Sequence, residues 1–179
     1  MALEIYDTAT RTRRVGVIAT AGTVESGAYP AAILEADPAV TVTQRACPEL
    51  VPMVEAGITD GRRAESVLRA YLEPMIGTDP GIDTLLLGCT HYPLLREPIQ
   101  RIVGEGVAVV DSAFTTALAV EDLLDALGAR ADGDGTAMHR VTTTGDVDAF
   151  VAVAERLFGD RLPAVEAVMI EPEPAVPLD

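Results

Sequence analysis

The chain has 179 residues, of which 49% are hydrophobic, and a mean hydropathy of +0.26. This is ample for a packed core in one domain of ordinary size or slightly more. The 28 acidic residues outnumber the 13 basic ones, all arginine, to give a formal net charge of −15, which argues against nucleic acid or an anionic membrane as a partner.

Cysteine and histidine are too few for a disulfide framework or a zinc site. The two cysteines, Cys47 and Cys89, form no C-x-x-C pair, and His91 and His139 are the two histidines. We therefore expect neither a metal nor an organic cofactor, since no dinucleotide or P-loop signature is present either. The first residues lack the basic start and apolar core of a signal peptide, and no apolar run approaches about eighteen residues, so we expect a cytoplasmic protein.

The first strand and helix bring two threonines to one turn. Residues 14–20 are predicted to form a buried strand. Thr23 suits the N-cap of the next helix, and Gly27 and Pro30 predict that the first half of this helix is irregular. On spacing alone, Thr20 and Thr23 are either a strand end and a cap, or two hydroxyls offered to a ligand.

A second strand is predicted over residues 39–46, followed by a short helix that Pro48 begins and Gly57 ends. Cys47, with no base nearby in sequence, is expected to be a buried structural thiol. Residues 61–76 have apolar side chains at spacings of three and four, which predicts an amphipathic packing helix without chemistry.

The apolar run at residues 82–87 is short and unalternating, as in a strand covered on both faces, and it leads to Cys89, Thr90 and His91. Pro93 suits the first turn of a following helix. The carboxyl edge of an open parallel sheet is where ligands bind, and N–H groups around Thr90 and His91 would receive a carboxylate or phosphate. The alternative is that Cys89 is a small buried hydrophobe beside an incidental histidine.

The next strand is predicted at residues 106–110, followed by a helix over residues 113–127 that Ser112 caps. Four alternations of strand and helix predict an α/β fold with a doubly wound parallel sheet.

The last part of the chain is predicted to contain two further strands and one helix. A flexible linker is expected at residues 128–137. A strand at 139–144, a helix at 146–158 and a strand at 164–170 follow, and the acidic, proline-rich tail from residue 171 is expected to be disordered.

Three segments resemble glutamate racemases. The string Leu-Gly-Cys-Thr-His-Tyr-Pro-Leu-Leu at residues 87–95 resembles the second catalytic-cysteine motif of that family. Residues 15–29 resemble its pattern Gly-Val-Ile-Gly-Thr-x-x-Thr-x-x-Ser-x-x-Tyr, with Ala19 in place of a glycine. A third match is Thr-Thr-Thr-Gly-Asp-x-x-x-Phe at residues 142–150, so the resemblance runs from about Arg14 to about Val168.

The resemblance implies cofactor-independent interconversion of L- and D-glutamate, which supplies D-glutamate for peptidoglycan. In the family, two cysteines on opposite faces of the substrate act as acid and base. By residue match, the catalytic residues would be Cys89 and His91, and the substrate-binding residues Thr90, His91, Thr20, Thr23 and Glu55.

The resembled fold has two lobes, which implies that residues 1–110 form one complete lobe and residues 111–179 the carboxyl-terminal portion of its partner. The family segments with the first cysteine, including Cys-Asn-Thr, do not occur in this sequence. We therefore expect half a site and no racemisation by this chain alone. We also expect the apolar strand at 165–170 to be mobile, to repack, or to pair between chains as a homodimer.

Two other interpretations stay open. One is a related aspartate or hydantoin racemase, although Gly-Cys-Thr-His-Tyr-Pro favours glutamate. The other is a non-catalytic binding module that retains the fold, which the unmatched first cysteine supports.

Overall fold

The computed structural model describes residues 10–131, 138–159 and 163–170. The strands are β1 (Arg14–Ala19), β2 (Thr41–Ala46), β3 (Thr84–Gly88), β4 (Ala108–Asp111), β5 (Val141–Thr143) and β6 (Val165–Ala167). The helices are α1 (Ala21–Ser26), α2 (Ala28–Ala36), α3 (Leu50–Glu55), α4 (Gly61–Thr78), α5 (Arg96–Val103), α6 (Ser112–Leu127) and α7 (Val147–Phe158), with a 3-10 helix at Tyr92–Leu95 before α5.

Four strands form one parallel sheet in the order β2-β1-β3-β4. From β1 the chain crosses to β2 on one side and then returns to β3 on the other side, so the winding direction reverses between β1 and β3. The predicted α/β fold with a doubly wound parallel sheet is confirmed. The reversal creates a topological switch point, the position where open parallel sheets bind ligands.

The core of this sheet lies on β1 and β3. Val15, Val17 and Ile18 in β1 are fully buried, as is Leu85 in β3. Both strands lie in the interior of the sheet, with a paired strand on each side. Their consecutive residues are apolar because side chains on both faces of the sheet are buried. The unalternating patterns at residues 14–20 and 82–87 are thereby explained.

The turn after β1 differs from the prediction in one respect. Thr20, in an extended conformation, is the N-cap residue of α1, and the first helical bond runs from the Val24 N–H to the Thr20 carbonyl at 3.0 Å. The prediction that Thr23 caps the helix is therefore wrong, because the helix starts at Ala21, directly after Thr20. Gly27, at φ +64°, separates α1 from α2, as the predicted irregularity requires.

Helix α6 starts one residue earlier than predicted, at Ser112 instead of Ala113. The helix begins at Ser112 itself, and the Asp111 carboxylate accepts a hydrogen bond from the Ala113 N–H at 2.9 Å. Ser112 was predicted to be the cap; the carboxylate at the end of β4 occupies that role, because an aspartate oxygen reaches the same free N–H groups.

Asp83 anchors the chain that enters β1. Its buried carboxylate accepts hydrogen bonds from the Thr10 hydroxyl at 2.6 Å and from the Arg11 and Thr12 N–H groups at 2.7 and 2.9 Å. Burial alone raises the pKa of Asp83, but these hydrogen bonds outweigh it and hold the pKa below its ordinary value. The anchor fixes residues 10–12 against the residue that precedes β3.

We expect Asp83→Asn to lower the free energy of unfolding at pH 7 by about 1–3 kcal/mol, since an uncharged amide offers one acceptor oxygen where the carboxylate offers two to the Thr10, Arg11 and Thr12 donors. The lowered pKa means that this stabilisation is complete above the ordinary aspartate range and is lost as the pH falls through the folded-state pKa. Urea titrations at neutral and acidic pH check both points. The exposed Asp122→Asn is the control, and equal losses in the two variants would contradict the anchor.

The chain divides into two compact units, Met1–Val54 with Ile58–Ala131, and Glu55–Gly57 with Asp132–Asp179. In the second unit β5 pairs in parallel with β6, with Val141 opposite Val165, and the Asp146 carboxylate caps α7 by accepting from the Ala149 N–H at 2.7 Å. Both strands are shorter than predicted. The division into lobes at residue 110 stays a prediction, and α6 groups with the first unit.

Residues 132–137 of the predicted linker and the predicted disordered tail from residue 171 lie outside the described residues. Within the described ranges, no helix is both long and apolar enough to span a lipid bilayer.

Candidate functional site at the carboxyl edge of the parallel sheet

Register places two of the predicted site residues at one edge of the sheet. Ala19, the last residue of β1, lies opposite Gly88, the last residue of β3. Thr20 and Cys89 are the next residues of these two neighbouring strands. They therefore leave the sheet side by side at its carboxyl edge, on the two strands between which the winding reverses.

Cys89 is a free, partly exposed cysteine beside an imidazole. Its Sγ lies 4.0 Å from Nδ1 of His91, and the Thr90 hydroxyl lies 3.5 Å from the same nitrogen. A sulfur and a ring nitrogen at 4.0 Å are at the outer limit of a hydrogen bond. A small closure would let the thiol and the imidazole exchange a proton.

The two threonines of the β1 turn form a pair. The Thr20 and Thr23 hydroxyl oxygens lie 2.9 Å apart, and both residues are half-buried. One hydroxyl donates to the other, which leaves one O–H in the pair free to point elsewhere. Their placement in the same crevice as Cys89 and their role as carboxylate ligands stay predictions.

Tyr92 holds the segment after Cys89. The ring is fully buried, and its hydroxyl donates to the Cys47 carbonyl at 3.0 Å, which ties the turn after β3 to the end of β2. The Tyr92 N–H also donates to the Cys89 carbonyl at 3.1 Å and closes the turn. Burial, followed by nearby Cys47, raises the pKa of Tyr92, so the phenol stays a neutral donor.

The sequence pattern by itself predicts no role for Tyr92. The available signal was a tyrosine inside an otherwise functional string, followed by Pro93, which fixes the backbone of the next turn. The partner could not be identified, because Cys47 is 45 residues away in sequence.

Cys47 is fully buried, so the predicted burial of this thiol is confirmed, and its structural role stays a prediction. Burial raises the pKa of Cys47 to about 12, an effect that nearby Arg45 opposes without cancelling. At neutral pH this sulfur is a thiol and not a thiolate, so it is unsuited to remove a proton from carbon.

Glu55 is the last residue of α3, is half-buried, and groups with the second compact unit. Its predicted contribution to substrate binding stays a prediction. In the part of the chain that the structure describes, no group of three or more His, Cys, Asp or Glu side chains could hold a metal ion.

The fold and the site together define an α/β protein with a candidate thiol site at the switch point of a doubly wound parallel sheet. The chain belongs to the Asp/Glu/Hydantoin racemase family, whose model matches residues 2–123. The glutamate racemase of Corynebacterium diphtheriae is 43% identical over 157 residues, covering 88% of this chain and 58% of that protein.

Solved structures give the same picture. A glutamate racemase isoform from Bacillus anthracis superposes with a TM-score of 0.79 at 35% identity, covering 95% of this chain and 62% of that one. Glutamate racemase from Francisella tularensis in complex with D-glutamate has a TM-score of 0.80 at 28% identity, covering 94% and 61%. The chain thus spans less than two thirds of the length of each of these three relatives.

Proposed function

We propose that this chain carries one acid/base half of a glutamate racemase active site, with Cys89 as the thiol that exchanges the α-proton on one face of the substrate. The observation that carries the proposal is the register of β1 and β3, which aligns Ala19 with Gly88 and brings Thr20 beside Cys89 at the switch point.

Inversion at carbon without a redox cofactor needs an acid and a base on opposite faces of the substrate, because one group cannot occupy both sides. Of the two thiols in this sequence, Cys89 is partly exposed, whereas Cys47 is buried with a pKa raised to about 12. A two-thiol reaction therefore needs a second thiol that Cys47 does not supply.

An ordinary thiol is a poor base, and an α-proton is weakly acidic. The imidazole of His91, with Nδ1 4.0 Å from Sγ of Cys89, can take or return the thiol proton. The Thr20–Thr23 pair and the exposed Thr90 hydroxyl are the donors proposed for the substrate carboxylate, where negative charge builds up as the proton leaves. Glu55 is proposed to bind the substrate as well.

The proposed substrate is a small amino acid, and glutamate is favoured because the matched relatives are named glutamate racemases. By the same resemblance, the proposed setting is cytoplasmic supply of D-glutamate for peptidoglycan, and a homodimer is the proposed assembly. The family model also covers aspartate and hydantoin racemases, so a relative acting on one of these is the second candidate.

Ligand protection of Cys89 tests the proposal. Iodoacetamide labelling of each cysteine is followed by peptide mass spectrometry, with and without L-glutamate, D-glutamate, aspartate or hydantoin. At a ligand concentration of about ten times Kd, glutamate is expected to slow labelling of Cys89 by about tenfold, since only the free protein reacts.

Buried Cys47 is the internal control, and its labelling is expected to be unaffected by ligand. Stronger protection by aspartate or hydantoin would support the second candidate. Absence of protection by any of these compounds would contradict a racemase site and favour a non-catalytic module.

A further inference from the structure

The backbone directly before Cys89 is closely covered. A Cβ atom placed on Gly88 would lie 2.9 Å from Cε2 of Tyr29, 3.0 Å from Cβ of Ala19 and 3.1 Å from the Ile18 carbonyl oxygen. Two of these neighbours belong to β1, against which β3 pairs, and the third is an aromatic ring. Glycine is required here for space, because it lets the ring lie directly on the end of β3.

Tyr29 lies in the connection between β1 and β2, which also contains the Thr20–Thr23 pair. Gly27, in the left-handed conformation, ends α1 and redirects the chain into α2, and Tyr29 is the second residue of α2. The half-buried ring packs against the core cluster that includes Val17, Ala19 and Leu86. Because this packing holds the ring in place, the ring limits how far the end of β3 can move.

The phenol of Tyr29 and the thiol of Cys89 are also close enough to influence each other electrostatically. Burial, and then the negative charge of a Cys89 thiolate, raise the pKa of Tyr29. At neutral pH Tyr29 is an uncharged phenol, as tyrosine is at its ordinary pKa of about 10.

We propose that Tyr29 is a positioning residue for Cys89, acting through its contact with Gly88 to fix where the thiol leaves the sheet. The inference rests on the proposed role of Cys89 and adds a residue that is given no part in binding the substrate carboxylate or in moving the α-proton. Its ring provides the positioning.

The first test compares alkylation rates of Cys89 at fixed pH in the wild type, Tyr29→Phe and Tyr29→Ala. Removing the ring is expected to raise the rate by about fivefold, since the strand end loses its cover, whereas phenylalanine should keep it within about twofold of the wild type. Tyr71→Ala is the matched control, because Tyr71 donates to Glu49 Oε1 at 2.9 Å and is not among the three nearest neighbours of a Cβ placed on Gly88. Equal rates in Tyr29→Ala and the control would overturn the proposal.

A double-mutant cycle tests the Gly88 contact. Gly88→Ala is expected to alter the Cys89 alkylation rate more in the wild type than in Tyr29→Ala, because in the second background the new methyl group still crowds Ala19 and the Ile18 carbonyl but no longer meets the ring. If Gly88→Ala destabilises the protein enough to disturb labelling, the same cycle is read from urea midpoints. Additive effects would overturn the proposal.

The third test is spectroscopic and is insensitive to packing alone. The ionisation of Tyr29, taken from the difference in absorbance between wild type and Tyr29→Phe, is expected to move to lower pH in a Cys89→Ser background, since the thiolate that opposes it is removed. An unchanged titration would contradict the proximity of the two groups. None of these measurements uses glutamate, so failure here is distinguishable from failure of the racemase proposal, which is read from ligand protection.

Discussion

Replacing Cys89 with serine is expected to reduce exchange of the α-proton of glutamate by about 10²–10⁴-fold, because the residue proposed to remove that proton is lost. The measurement is deuterium incorporation at Cα in D2O, followed by proton NMR, with residues 1–179 and each enantiomer in turn. Since a single thiol serves one face, we expect the wild-type chain to exchange one enantiomer while its optical rotation stays unchanged.

Cys47→Ser is the matched control, and it is expected to retain the wild-type exchange rate because that buried thiol takes no part. Exchange that survives in Cys89→Ser, or that is undetectable in the wild type, would contradict the role given to Cys89. Loss of optical activity that depends on Cys89 would refute the half-site, and would require a second base within this chain or in a partner copy.

Leu85→Ala is expected to lower the free energy of unfolding by about 2–5 kcal/mol, because it opens a cavity in the most covered part of the sheet. Leu85 is fully buried on β3, between β1 and β4. Urea unfolding followed by circular dichroism measures the change, provided that the slope of the transition is unchanged.

Leu127→Ala removes the same atoms from a side chain that is 68% exposed on α6, and we expect a change within about 0.5 kcal/mol. Comparable losses of unfolding free energy in the two variants would mean that Leu127 is buried in solution, which would contradict its exposure in the structure. A loss at Leu85 below about 1 kcal/mol would contradict the packing of β3.

Local sequence determined the elements of the first unit and the residue types of the site. The apolar runs of β1 and β3 are unalternating because both faces of an interior strand are covered, and that pattern is visible without a structure. The string from Leu87 to Leu95 identified Cys89 and its histidine neighbour because their chemistry is adjacent in the chain. The sequence does not determine the first residue of each helix. Thr20 and Thr23, three residues apart, both suit the N-cap of α1.

Only the tertiary structure decided which distant residues meet. The register of β1 with β3 places Thr20 beside Cys89, yet 69 residues separate them, and no local pattern specifies that pairing. The contact of Tyr29 with Gly88 and the hydrogen bond from Tyr92 to the Cys47 carbonyl depend on the same register. A shift of one residue between two strands would turn every side chain to the other face, so these contacts follow from the sheet as a whole and not from any single segment.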